Sequence, residues 1–149
     1  MGQQQLILLV LATVIVGIAI VVGIRAFSEN SIKSNSDALI QDMVRIANDA
    51  QAWKQKPAPF GGQADGAAKE SISDYTGVTM NALGYADTLD ALTYNNLNGW
   101  YVIAPGDPLT ITACNGLKDN QAILEVRGID DRSIVQTGIL LGEYTAACP

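Results

Sequence analysis

Few side chains in this sequence could do chemistry. Histidine is absent, so no Ser/His or Cys/His pair exists. No glycine-rich loop of the phosphate-cradling kind opens a helix. Asp130 with Asp131, and Asp87 with Asp90, are read as turn acids in solvent, with a calcium site as the alternative. Cys114 and Cys148 are the only two cysteines. A zinc site usually needs four ligands, so in an exported domain this pair points to one disulfide; two buried thiols are the alternative. The residues therefore describe a non-enzyme, without cofactor or metal, whose one covalent feature is a staple.

The elements that must position that staple divide the chain unevenly. It has 149 residues, a formal net charge of −6 and 48% hydrophobic residues. An acidic chain without a basic block is not expected to bind nucleic acid, because phosphate contacts need clustered Lys and Arg. The apolar residues concentrate in Leu6 to Ile24, a run without charge in which Thr13 is the only polar side chain. As a helix this run covers about 28 Å, close to the apolar thickness of a bilayer. It must be covered by lipid, by a partner, or by each in turn.

Gln3, Gln4 and Gln5 precede the run, and neither a basic leader nor a small-x-small cleavage site accompanies it. Retention of the segment in the working protein is the expectation. Arg25 and Lys33 follow the run and no Lys or Arg precedes it. Taken alone, that asymmetry leaves the C-terminal part in the cytoplasm. A basic leader removed beforehand would reverse the orientation.

No helix breaker follows until Pro57. Ile32, Leu39, Met43, Ile46, Ala50 and Trp53 recur at helical steps, predicting an amphipathic second half whose apolar stripe lies on a sheet. Lys56-Pro57-Ala58-Pro59 stops the helix. Ala67 to Leu83 is expected to form a short helix or turns. From about Leu89 the period changes. Leu92–Tyr94, Trp100–Ile103, Leu109–Thr112 and Ile123–Val126 are β-rich runs separated by Gly, Pro, Asn and Asp clusters. Ile134 to Leu141 adds a possible edge strand, and Cys148 would tie back the tail. Trp53 and Trp100 are read as core residues joining helix to sheet. The expected fold is α+β: a long N-terminal helix, apolar then amphipathic, on a small antiparallel sheet. Its parts are 1–27, an apolar anchor; 28–56, the amphipathic half of the same helix; and 57–149, a loop and sheet domain with a disulfide loop.

This order of apolar helix, amphipathic helix, loop, antiparallel sheet and C-terminal cysteine pair resembles the type IV pilins and related pseudopilins over the whole chain. Family members usually carry glutamate at the fifth mature position and often phenylalanine at the first. Here Gln5 stands at the glutamate's place if Met1 is the mature start. Alternatively Gly2 precedes the cleavage, and Gln3 is the start. The resemblance implies a structural subunit of an extracellular filament of many copies, held in the inner membrane before assembly and handled by a pilus assembly machinery. It also implies a methylated start and an apolar helix buried in the filament core. Gln3, Gln4, Gln5, Leu6, Leu9, Thr13, Gly17, Gly23 and Phe27 are the candidate assembly residues, and Cys114 and Cys148 the candidate bridge. Such pilins often lose helical order at this depth, commonly beside a proline; this span has none, so at most a partial break, between about Val14 and Gly23, is expected in the assembled state. The alternatives are a single-pass membrane-anchored binding or sensory domain, or a pseudopilin of a secretion system.

Overall fold

The computed structural model describes residues 2–62, 71–85, 88–115 and 120–141. Helix α1, Gly2–Gln55, is 54 residues long and runs through Gly17 and Gly23 without interruption. The break, at most partial, that is expected between Val14 and Gly23 concerns the assembled state; in the single chain the helix is unbroken there. With no proline in the run, two isolated glycines cost about 1 kcal/mol each, too little to open a helix of this length. Lys56 and Pro57 end it as expected, and a single 3-10 turn, Ala58–Phe60, follows.

The sheet is a six-stranded antiparallel meander in the order β1-β2-β3-β4-β5-β6. Its strands are β1 Thr88–Asp90, β2 Thr93–Asn95, β3 Trp100–Ala104, β4 Leu109–Asn115, β5 Asn120–Val126 and β6 Ile134–Leu141. The runs anticipated from sequence are present, and β6 is indeed an edge strand. The other edge, β1, was not anticipated; it pairs through Thr88 with Tyr94 and Asp90 with Thr93.

The second half of α1 lies on β4, β5 and β6. Leu39, Met43, Ile46, Ala50 and Trp53 are buried there as the helical spacing requires, together with Ala47; Ile32 is half-buried. They meet Tyr101 and Ile103 of β3, Leu109, Ile111 and Ala113 of β4, and Ala122, Leu124 and Val126 of β5. These strand residues recur at every second position, so each strand turns one face to the helix.

That parity corrects one expectation. Trp100 is out of phase with Tyr101 and Ile103, is half-exposed, and stands outside the core cluster. It belongs to the sheet face away from the helix, while Trp53 is buried and donates its indole N–H to the Gly61 carbonyl at 3.0 Å. Between 71 and 85 the chain forms successive turns and no helix. Gly77 and Gly84 take positive φ there, which a helix does not tolerate. The segment still closes the core, burying Tyr75, Val78 and Met80.

Candidate membrane and assembly surface

Residues 2–31 of α1 are exposed, without a buried side chain among them. Leu6 is 66% and Phe27 83% exposed, and the aliphatic residues between them are at least half exposed. This is a continuous apolar cylinder, far larger than the few hundred Å² that a soluble monomer ordinarily leaves uncovered. By length and composition α1 can cross a membrane. Thr13 fits that setting: its hydroxyl donates to the Val10 carbonyl at 2.8 Å, so the run's one polar side chain satisfies itself within the helix.

All nine candidate assembly residues lie on this one exposed segment. Gln3, Gln4 and Gln5 form its polar start, exposed like the rest. Leu6, Leu9, Thr13, Gly17, Gly23 and Phe27 lie further along it. At Gly17 and Gly23 a Cβ would meet nothing within 4 Å, so neither glycine is required by this chain's own packing. Cys114 lies elsewhere, buried on β4. Cys148 is outside the described residues, as are Asp87 and the tail that follows Leu141. Asp90 is a turn acid: its carboxylate accepts the Leu92 N–H at 2.9 Å, which holds it below the ordinary carboxylate range.

Beside the apolar core, a set of polar clasps holds the second half of α1 to the domain. Asp42 is the first. Its Oδ2 accepts Asn96 Nδ2 at 2.9 Å, Asn98 Nδ2 at 2.8 Å and the Tyr101 hydroxyl at 2.7 Å. Partial burial pushes this carboxyl up, but the donors Asn98, Tyr101 and Asn96, with Arg45 nearby, outweigh it and hold it below its ordinary value. Burial, then the bond to Asp42, pushes the Tyr101 phenol well above its ordinary value. About two helical turns on, the Tyr85 hydroxyl donates to Asp49 Oδ2 at 2.7 Å. The Tyr85, Tyr94 and Tyr101 rings lie in series, tilted against one another, with centroids 4.8 and 5.9 Å apart.

Three more clasps run along the same helix. Asn120 donates to the Ile32 carbonyl at 2.8 Å and to Asn35 Oδ1 at 3.1 Å. Gln51, buried, donates to the Gly128 and Asp130 carbonyls and to Ser133 Oγ, each at 3.1 Å. The Lys54 ammonium bonds the Ser71 carbonyl at 2.8 Å and the Asp74 carbonyl, and sits 4.8 Å from the centre of the Tyr75 ring. These residues were not singled out from sequence. Asp42 looked like one more polar residue off the apolar stripe, and its partners lie 54 to 59 residues away. The one available signal was the asparagine-rich turn Asn95-Asn96-Leu97-Asn98-Gly99.

The arrangement is one unbroken helix, half bare and half locked to a sheet domain. No family model, characterised protein or solved structure matches this chain.

Proposed function

We propose that the chain is a structural subunit of an extracellular, type IV pilus-like filament. One observation carries the reading: a single uninterrupted helix is bare over residues 2–31, apolar from Leu6 to Ile24, and buried against the sheet from Ser36 onward. Lipid covers the bare half before assembly. Copies of the same half cover one another afterwards, with the sheet domains facing solvent. Contacts between unlike faces of successive copies do not close, and so build an open filament. A tether for an anchored binding or sensory domain needs no such rigid passage from span to core.

In this reading Cys114 pairs with Cys148 and fastens the tail over the sheet. The bridge closes a loop of about 35 residues, worth about 3–4 kcal/mol in the chain-entropy model. Mass spectrometry of the non-reduced protein is expected to find no free thiol; two free thiols overturn the pairing.

Electron microscopy of material sheared from cells tests the function. Regular filaments containing this chain are expected. Detergent-soluble monomers alone would select the anchored binding or sensory domain instead.

A further inference from the structure

Leu97 is fully exposed at the tip of the β2–β3 turn. A solitary exposed leucine is ordinary, but the turn beneath this one is not. Asn96 Oδ1 accepts the N–H groups of Asn98 at 2.8 Å and Gly99 at 3.1 Å, while the Asn96 N–H donates to the Gly99 carbonyl at 3.0 Å. The Asn96 and Asn98 amides both fasten to Asp42. The Asn98 carbonyl accepts Asn35 Nδ2 at 3.0 Å and Asn115 Nδ2 at 2.6 Å. Gly99 seals the base: a Cβ there would stand 2.3 Å from the Cys114 carbonyl oxygen and 2.9 Å from Leu39 Cδ2. A five-residue turn is thus bonded to the helix and to β4, and the side chain it presents is apolar.

We propose that Leu97 is a preorganised knob that docks on the bare apolar half-helix of a second copy of this chain. Holding the turn in one conformation removes the ordering cost that a mobile loop would meet on binding. The occupant follows from what needs covering. Each copy carries one knob and one uncovered half-helix, residues 2–31, which is apolar over Leu6 to Ile24 and again at Phe27. The knob cannot serve its own helix, because at its level, Asn35 to Asp42, the exposed helix positions include Asp37 and Gln41. A second copy brings an apolar residue to that level only if displaced along the helix axis. The step from Phe27 to Asn35 is eight residues, so the displacement toward the first copy's domain is at least about 12 Å. The contact joins unlike surfaces and leaves each copy with a further knob and helix to engage, so it propagates. The inference rests on the filament reading for its occupant.

The test places a photo-cross-linking residue at position 97 of the full-length chain in cells. Irradiation is expected to give an adduct of two chains, mapped by mass spectrometry to residues 6–27 of the second copy. Adducts to lipid only, adducts to another protein only, or no adduct from assembled chains each overturn the knob. If wild-type cells make no filaments, the filament reading falls and the knob, which needs a copy displaced along the helix axis, falls with it; filaments without an inter-copy adduct overturn the knob alone. Independently, Leu97→Ala is expected to lower filament yield about tenfold or more, the worth of a buried leucine, whereas Leu97→Met keeps it. Both variants should melt like the wild type in detergent. Wild-type yield from Leu97→Ala overturns the proposal.

Discussion

At the scale of single residues, Asp42 shows how a charge can be placed at a packed seam without being paired to another charge. Its carboxylate oxygen gathers two part-exposed amides and the phenol of buried Tyr101 from the sheet side. Asp42→Ala leaves them without their acceptor and is expected to cost about 2–4 kcal/mol, read as the denaturant midpoint of the detergent-solubilised chain. Asp42→Asn keeps one carbonyl acceptor and should cost less. The sign of the pH effect follows from the lowered carboxyl. The unfolded group titrates near 3.9, so its contribution is complete above that value. It is lost as pH falls through the lower, folded value. In Asp42→Asn this part of the acid sensitivity should be missing; an unchanged acid profile would show that the clasp does not stabilise through its charge.

At the scale of elements, the sequence made the helix legible for a physical reason. A stripe at helical spacing and the absence of proline before Pro57 are local properties, and they predicted the docked face from Leu39 to Trp53. The longer strands were legible for the same reason. β1 was not, because three residues containing an aspartate become a strand only through the partner at β2. Trp100 was placed on the wrong face because alternation gives two faces without saying which one meets the helix. The clasps were illegible because each joins positions far apart in sequence.

The same scale separates two roles for the glycines of the bare half. Gly17 and Gly23 meet nothing in the single chain, so larger residues there leave its fold unchanged. If close helix packing between copies uses them, Gly17→Leu inserts into the membrane normally but fails to assemble. Membrane fractionation beside filament yield distinguishes this from a general folding defect. Normal filament yield from Gly17→Leu would remove the packing role. Gln5 receives a parallel test. The glutamines at the start can supply hydrogen bonds but no countercharge for a buried terminal amine, and an unpaired ammonium in an apolar core costs several kcal/mol. We expect Gln3, Gln4 and Gln5 to solvate the subunit start, with the amine modified, deprotonated or exposed in a lumen. Gln5→Leu should therefore insert normally and assemble poorly; undiminished filament yield would leave the glutamines as markers of the membrane interface.

At the scale of the whole molecule, the decisive property is continuity between two halves with different surroundings. Glu29 stands between them, exposed, beyond the apolar run that ends at Ile24 and before the first buried helix residue, Ser36. Proline at this position removes one helical hydrogen bond and presses its ring on the carbonyl of Arg25, at a local cost of about 3 kcal/mol and a kink. The domain's core lies entirely outside the disturbed turn, so its fold and the insertion of the span should both survive. An anchored binding domain tolerates such a joint, because its anchor need only hold. A filament subunit does not: the kink changes where the domain stands relative to the helix bundle, and the error recurs at every copy. Glu29→Pro is therefore expected to reach the membrane at wild-type level and to yield no filaments, while Glu29→Ala, which removes only the charge, assembles normally. Filaments of wild-type abundance from Glu29→Pro would show that the helix acts as a tether, and that its unbroken passage into the domain has no part in assembly.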